Sequence, residues 1–232
     1  MEKVDVVIFG YGKFGNAIAK SLAEAEYTKI RVAVKDKAEF EAANLDGLNV
    51  LFFNLESDRT IQQLNINENT QLICALDINR ENLYLALTLR ELYRKNHIMS
   101  ISDSSHVTDK LRLAGVNRVI DIYNISVNLL INILDKPIAT KFIQGFINKS
   151  HDYNFAEITI GKNAAIIDQY IDMIDFKNYN IIFLGMVDKE RGNQFYFGTI
   201  GISHRVTEGD ILVFVGREED IEEFKKACGD CK

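Results

Sequence analysis

Through its first 121 residues the chain alternates short apolar runs with helix-like segments. The first run is rich in β-branched residues and too short for a free-standing helix, so it is predicted to be a strand. A regular alternation of strand and helix predicts an α/β fold, with a doubly wound parallel sheet and helices on both faces. The predicted strands cover residues 4–9, 30–35, 48–53, 71–76, 98–101 and 118–121.

Two strongly apolar helical segments follow this alternating region. They cover residues 126–134 and 138–147, and Pro137, the only proline of the chain, separates them. A proline at this place ends or kinks the first helix. Because apolar surface lies on both sides of it, we interpret the segment as a crossover arm or a dimer element rather than a flexible linker.

The pattern changes again after residue 150. Residues 154–160 alternate with period two, which is typical of a half-buried strand. Together the later segments predict a small α+β lobe of roughly 80 residues, long enough to fold without disulfides or metals. Its other predicted elements are strands at 180–187, 194–200 and 211–215 and a helix at 218–227. The predicted domains are therefore 1–135, a helical connector at 136–150, and 151–232.

A glycine-rich loop joins the first predicted strand to the first predicted helix. Its sequence is Gly-Tyr-Gly-Lys-Phe-Gly at residues 10–15, and the helix-like segment begins at Asn16. A Gly-x-Gly-x-x-Gly pattern between a strand and a helix is typical of a Rossmann-like phosphate cradle. Gly10 permits the tight turn, Gly12 a close approach of phosphate, and Gly15 the packing of helix on strand. The positive end of the helix dipole then favours an anion.

An acidic residue ends the second predicted strand. Asp36 lies about 20 residues beyond Gly15, which is the spacing expected of a carboxylate that binds ribose hydroxyls. A carboxylate there repels a 2′-phosphate, so NAD or another adenine nucleotide fits better than NADP. The alternative is a glycine turn followed by an ordinary surface aspartate.

Composition narrows the class of protein. The chain of 232 residues has a net charge of −6 and a pI near 5.3, which argues against a nucleic-acid partner. No apolar run approaches the ~20 residues that span a bilayer, and a strand at the N-terminus leaves no room for a signal peptide. We expect a cytoplasmic protein.

The sequence offers no catalytic or metal-binding motif, and we predict neither a catalytic residue nor a metal ligand. The four histidines, His97, His106, His151 and His204, are scattered without paired metal spacing. The Cys-x-x-Cys of Cys228 and Cys231 lies at the C-terminus, where we interpret it as tail thiols without a structural role. Cys74 is predicted to be an inert thiol in a buried strand.

A nucleotide fold without catalytic groups, followed by a β-rich lobe, predicts a sensor whose ligand changes its conformation. One alternative is a small NAD-dependent oxidoreductase with an unrecognised catalytic residue. A redox-sensing DNA-binding repressor is a weaker alternative, since no basic helix-turn-helix is visible.

Three segments resemble the RCK/KTN cytosolic regulatory proteins of bacterial potassium uptake (Trk/Ktr type), which also occur fused to potassium channels. The first is the glycine loop with Asp36. The second is Leu-Arg-Leu-Ala-Gly-Val-Asn-Arg-Val-Ile at residues 111–120, before the crossover helix. The third is Glu-Gly-Asp-Ile-Leu-Val-Phe-Val-Gly at residues 208–216, which resembles the end of the family's second domain. The resemblance covers nearly the whole chain.

This resemblance implies an adenine nucleotide, NAD(H), ATP or ADP, in the first lobe. Asp36 would bind the ribose, Asn54 would approach the adenine, and Lys13 would contact phosphate, although a solvated lysine on a turn is the alternative for Lys13. The predicted binding residues are Gly10, Gly12, Lys13, Phe14, Gly15, Asp36, Lys37, Asn54, Leu55, Asp77 and Asn79.

The resemblance also implies partners. A family member of this kind is a cytoplasmic gating subunit, peripheral to the inner face of the membrane, that regulates a potassium transporter or channel subunit and is not an enzyme. It assembles as dimers and as an octameric ring. The second lobe of some relatives binds small effectors such as cyclic di-AMP.

Overall fold

The computed structural model describes residues 4–25, 28–147, 152–192, 194–198 and 204–231. Its contacts divide the chain into two compact units, residues 1–131 and 132–232. Each unit has a sheet of its own and a hydrophobic core of its own.

The first unit is built on a parallel sheet. Its strands are β1 (Val4–Phe9), β2 (Thr28–Val34), β3 (Asn49–Phe52), β4 (Gln71–Cys74), β5 (Ile98–Ser102) and β6 (Arg118–Asp121). They are ordered β3-β2-β1-β4-β5-β6, so the strand order reverses between β1 and β4. In open parallel sheets, ligands bind at the carboxyl ends of the strands beside such a reversal. The predicted Rossmann-like sheet is confirmed.

Helices connect these strands and cover both faces of the sheet. They are α1 (Lys13–Glu24), α2 (Lys37–Leu45), α3 (Asp58–Gln62), α4 (Asn79–Leu92) and α5 (Ser105–Leu113), and α6 (Ile122–Asp135) follows β6. Val7 and Phe9 of β1 belong to the core on one face, and Val6 and Ile8 to the core on the other. Because successive side chains of a strand point to opposite faces, β1 is apolar throughout its buried part.

Two helices begin earlier than the sequence pattern predicts. The prediction that the first helix begins at Asn16 is wrong, because the carbonyl of Gly12 already accepts the N–H of Asn16 at 3.1 Å. The glycine loop therefore runs into the first turn of α1. The prediction that the helix after β6 begins at Ser126 is also wrong. Asp121, the last residue of β6, accepts the N–H of Asn124 at 3.0 Å, and this side-chain bond stabilises an earlier start.

The second unit contains a small antiparallel sheet. Its elements are α7 (Pro137–Ile147), β7 (Tyr153–Thr159), β8 (Ile182–Val187), β9 (Phe195–Phe197), β10 (Ile211–Arg217) and α8 (Glu218–Cys228), and the strand order is β7-β10-β8-β9. Pro137 opens α7, where its missing N–H costs nothing. Phe176 packs in the core, with ring centroids 5.1 to 5.7 Å from those of Phe183, Phe214 and Phe224. The predicted α+β lobe is confirmed, although residues 199 and 200 of the predicted strand 194–200 lie outside the described residues.

The interpretation of Cys228 and Cys231 as tail thiols without a structural role is wrong. Ile221, Phe224 and Cys228 share the buried face of α8, and Cys228 is 2% exposed. The two cysteines are joined as a disulfide, and Cys231 forms a β-bridge with Ile160. The tail is therefore part of the core of the second unit, because the helical spacing brings Cys228 onto the same face as Phe224.

Among the described residues, no helix is both long enough and apolar enough to cross a lipid bilayer.

We predict that Gly15→Ala destabilises the first unit by about 2 kcal/mol, the usual cost of forcing an extra carbon into a packed site. A Cβ at Gly15 would collide with the carbonyl group of Gly10, which is backbone and cannot rotate away. Thermal and urea denaturation of the purified chain would measure the loss. Ser21→Ala, on the exposed face of α1, is the control. Equal stability of the Gly15 variant and the wild type would contradict the close packing of α1.

Candidate functional site

The glycine loop lies at the carboxyl ends of β1 and β4. Gly10 has φ +100°, a conformation that favours glycine, and its N–H donates to the carbonyl of Ala33 at 2.8 Å. A Cβ at Gly10 would lie 2.8 Å from the carbonyl oxygen of Ala75. The loop is therefore held between the ends of β2 and β4 by backbone contacts that side chains would prevent.

The two N–H groups of the loop that flank Gly12 both donate to carboxylates. The N–H of Tyr11 donates to Glu39 Oε2 at 3.1 Å, and the N–H of Lys13 donates to Asp77 Oδ1 at 3.2 Å. Lys13 is the first residue of α1, where the N–H groups have no partner within the helix and the dipole favours negative charge. Carboxylates of the chain itself therefore accept the N–H groups on both sides of Gly12.

Asp36 caps α2 at the end of β2. Its Oδ1 accepts the N–H of Glu39 at 2.9 Å, which fixes the first turn of the helix. Lys37, the next residue, is highly exposed and pairs with Glu41 at 3.4 Å. The Asp-x-x-Glu spacing of residues 36 and 39 is that of a capping box, but here Glu39 turns to the glycine loop. That spacing was the available sequence signal for Glu39, which the sequence interpretation missed.

The electrostatics of this edge are dominated by carboxylates. Burial raises the pKa of Glu39, the nearby charges of Asp36 and Asp77 raise it further, and the hydrogen bond from Tyr11 and the charge of Lys35 oppose them. The hydroxyl of Tyr11 donates to Asp46 at 2.6 Å. This bond lowers the pKa of Asp46, while burial and the same bond raise the pKa of Tyr11.

A small cavity of about 170 Å³ opens beside the start of α1. Asn82 and Asp103 are among the residues that line it. Four of the predicted binding residues also line it, namely Lys13, Phe14, Asp77 and Asn79. Asn79 donates to Asp103 Oδ1. Asn82 is buried and binds both backbone groups of Leu76, at 2.9 Å to the N–H and 2.8 Å to the carbonyl. Asn82 thus holds the segment that carries Asp77, a role that the sequence interpretation missed.

Asn54 and Leu55 lie at the end of β3, and neither is among the residues that line this cavity. The side-chain oxygen of Asn54 accepts the N–H of Glu56 at 2.9 Å. The backbone N–H of Asn54 donates to Thr60 Oγ1. Leu55 packs against the hydrophobic core. The structure thus brings the glycine loop, Asp77 and Asn79 together and places Asp36, Lys37, Asn54 and Leu55 at the ends of the two strands beyond β1.

A second polar cluster lies in the second unit, formed by Asp188, His204 and Asp210. Nδ1 of His204 lies 3.3 Å from Asp188 Oδ2, and its Nε2 lies 2.8 Å from Asp210 Oδ2. Their ligand atoms lie within 4.8 Å of one another, and these are residue types that bind metal ions. Sequence spacing missed the cluster because Asp188 follows β8, whereas His204 and Asp210 lie in the segment before β10.

Hydrogen bonds already satisfy this cluster without a metal. Asp210, fully buried, accepts the N–H groups of Lys189 and Thr207 at 3.1 and 2.8 Å. Asp188 accepts the N–H of Glu190 at 2.8 Å. The imidazole of His204 lies between the two carboxylates and completes the set. We therefore interpret the cluster as a structural clamp between turns.

The fold and the glycine loop define a Rossmann-type α/β domain followed by a small α+β unit. The model of the TrkA-N domain family matches residues 6–122, half of the chain. The chain belongs to the TrkA-N domain family, and the predicted membership of the RCK/KTN group is confirmed.

Two curated relatives are potassium channel proteins of Methanocaldococcus jannaschii. The probable potassium channel protein 2 is 25% identical over 178 residues, which cover 75% of this chain and 52% of the relative. Potassium channel protein 1 is 23% identical over 224 residues, which cover 95% of this chain and 65% of the relative. The chain thus spans about half to two thirds of the length of these relatives.

Among solved structures, the GsuK channel bound to NAD is similar in fold. The TM-score is 0.51 at 16% sequence identity, and the match covers 98% of this chain and 39% of that chain. At this identity the likeness shows the fold alone.

We predict that Asp210→Asn destabilises the second unit by about 3 kcal/mol, the cost expected when several buried hydrogen-bonding groups lose their partner. If the amide nitrogen of the asparagine replaced Oδ2, it would face the N–H of Thr207, a donor against a donor. The single oxygen that remains could not accept all the hydrogen bonds that the carboxylate accepts. Hydrogen exchange of the β10 amides would measure the local loss. The control is Asp168→Asn, because Asp168 is exposed and has a φ of 64° that asparagine tolerates. Unchanged protection in the Asp210 variant would contradict the clamp.

Proposed function

We propose that this chain is a nucleotide-binding regulatory subunit that controls potassium flux through a membrane partner, and that its ligand switches its conformation. The observation that carries this proposal is the pair of loop N–H groups, at Tyr11 and Lys13, that donate to carboxylates at the start of α1. These N–H groups are directed at anions, and a nucleotide phosphate is the anion that such a loop binds in the Rossmann fold.

The proposed ligand is an adenine nucleotide, NAD(H), ATP or ADP. Asp36 would bind the ribose through the carboxylate oxygen that does not cap α2, Lys13 would contact phosphate, and Asn54 would approach the adenine. Asp36 lies at the end of β2, next to β1 in the sheet, which is where a ribose-binding acid belongs. The NAD-bound state of the GsuK channel, a fold relative, supports a nucleotide of this class.

A regulatory role fits the site better than catalysis. No histidine or cysteine is among the described residues that line the cavity beside the loop. Its two carboxylates, Asp77 and Asp103, already accept hydrogen bonds from Lys13 and Asn79, so neither is placed as a free acid/base group for hydride transfer. A small NAD-dependent oxidoreductase remains the second candidate, since the fold also serves such enzymes.

Two channel relatives support a potassium-conducting membrane partner. The proposed location is cytoplasmic, at the inner face of the membrane through that partner. The second unit is the proposed regulatory domain, covering residues 151–232, with residues 136–150 as the connector.

The proposed self-association, as dimers and an octameric ring, rests on α6. None of the residues of α6 is buried, although most are apolar. Its larger exposed side chains include Tyr123, Ile125, Val127, Leu130, Ile131 and Leu134. A patch of this kind on one helix is typical of a surface that a second subunit covers.

We predict that NAD, ATP or ADP raises the melting temperature of the wild type and that Asp36→Asn reduces the affinity about tenfold, the loss expected of about 1.4 kcal/mol. Asparagine keeps the helix cap but loses the charged acceptor for ribose hydroxyls. The variant should also lose discrimination against NADPH. Thermal shift and calorimetry would measure both effects.

Asp109→Asn is the control for that experiment, because Asp109 is exposed on α5. Equal affinities in all three proteins would contradict the role of Asp36, and no nucleotide response in the wild type would contradict the site. Steady consumption of NADH with a small substrate would favour the oxidoreductase.

We predict that the double variant Leu130→Glu and Leu134→Glu converts the oligomer to a monomer. These residues, one helical turn apart, are 58% and 72% exposed in the single chain, and buried carboxylates would oppose association. Light scattering after size exclusion would measure the mass. Leu113→Glu, at an 89% exposed position on α5, is the control. A monomeric wild type at micromolar concentration would contradict the proposed assembly.

A further inference from the structure

A carboxylate of the chain itself accepts a hydrogen bond from the glycine loop. Glu39 Oε2 accepts the N–H of Tyr11 at 3.1 Å, at the position where a phosphate cradle directs its amides to a ligand. We propose that Glu39 is a specificity-determining residue that competes with the ligand phosphate for the glycine loop, so that the site selects against highly charged nucleotides and binds more tightly at low pH. This inference rests on the proposed nucleotide-binding function.

The position of Glu39 is built into the fold. Asp36 caps the N–H of Glu39 at 2.9 Å and so fixes the first turn of α2. In a capping box the acid at this position returns to the capping residue, whereas here it bridges to a loop on the neighbouring strand. Glu39 is only half-buried, so a ligand can displace its side chain by rotation without unfolding α2.

A second carboxylate closes the other side of the loop. Asp77 lies against Gly12, where a Cβ would collide with its carboxyl group, and it accepts the N–H of Lys13 at 3.2 Å. A phosphate that enters the loop therefore meets the charges of Asp77 and Asp36 as well as that of Glu39. Each added negative charge on the ligand makes the electrostatic free energy of binding less favourable, since these carboxylates are only partly screened by solvent.

The sign of the pH dependence follows from the groups that face Glu39. Burial, Asp36 and Asp77 raise its pKa, whereas the Tyr11 N–H and Lys35 lower it, and the net shift is upward. A protonated Glu39 has no charge to repel a phosphate and is a weaker acceptor for Tyr11. Nucleotide affinity should therefore rise as the pH falls toward this pKa, because proton uptake and anion binding favour the same state.

Calorimetry of NAD binding between pH about 8 and about 5.5 tests the inference, because the pyrophosphate of NAD does not titrate in this range and the change reports on the protein. The wild type should bind NAD more tightly at the lower pH. Glu39→Gln, which keeps the shape and removes the charge, should bind about tenfold more tightly at the higher pH and lose the pH dependence, as expected if about 1.4 kcal/mol of repulsion is removed.

The same variant tests charge selection. Without divalent cations, the gain from Glu39→Gln should be larger for ATP than for NAD, because the triphosphate carries more negative charge than the pyrophosphate diester. Glu41→Gln is the matched control, since Glu41 is an exposed acid on the same helix that pairs with Lys37. It should keep the wild-type affinities and the wild-type pH profile.

The outcomes separate this inference from the proposed function. The proposed competition by Glu39 is overturned if the affinity of the wild type for NAD does not rise as the pH falls. It is also overturned if Glu39→Gln binds NAD no more tightly than Glu41→Gln. In both cases the proposed nucleotide binding still stands. Equal gains for ATP and NAD overturn the charge selection. If neither the wild type nor any variant binds a nucleotide at any pH, the proposed function fails and the inference fails with it.

Discussion

The contact on which the first unit depends is the close approach of α1 to the turn that follows β1. Gly15 lies against the carbonyl of Gly10, and Gly10 in turn lies against the backbone of Ala75 at the end of β4. Three pieces of backbone meet where side chains would normally separate them. This contact orients the first turn of α1, and with it the N–H groups of Tyr11 and Lys13, toward the carboxyl edge of the sheet.

The charge at that edge opposes the anion that the amides attract. The loop N–H groups and the helix dipole favour a phosphate, whereas Asp36, Glu39 and Asp77 surround the same place with carboxylates. A site that binds a permanent cofactor gains nothing from such competition. A site that must release its ligand does, because a switch needs two states whose free energies differ by only a few kcal/mol. The balance of charges is therefore consistent with the regulatory role that we propose.

The two units have cores of different kinds. The first has a hydrophobic core on each face of its parallel sheet. The second is smaller, and it adds to its aromatic core a buried polar clamp at His204. The helix α6 exposes apolar side chains in the single chain, and covering them in the assembly that we propose would add to stability as well as to function.

The sequence alone determined the strand and helix alternation, the glycine loop and the family, because these depend on local periodicity and on short spacings. It also predicted that the glycine loop follows β1 and that Asp36 follows β2, and the structure has both in these places. Only the tertiary structure decided which groups occupy the loop. Glu39 of α2 accepts the N–H of Tyr11 in the loop after the neighbouring strand, Asn82 holds Leu76, and Asp188 meets His204 and Asp210. Such contacts depend on side-chain direction and on packing between segments far apart in sequence, and no local pattern records them.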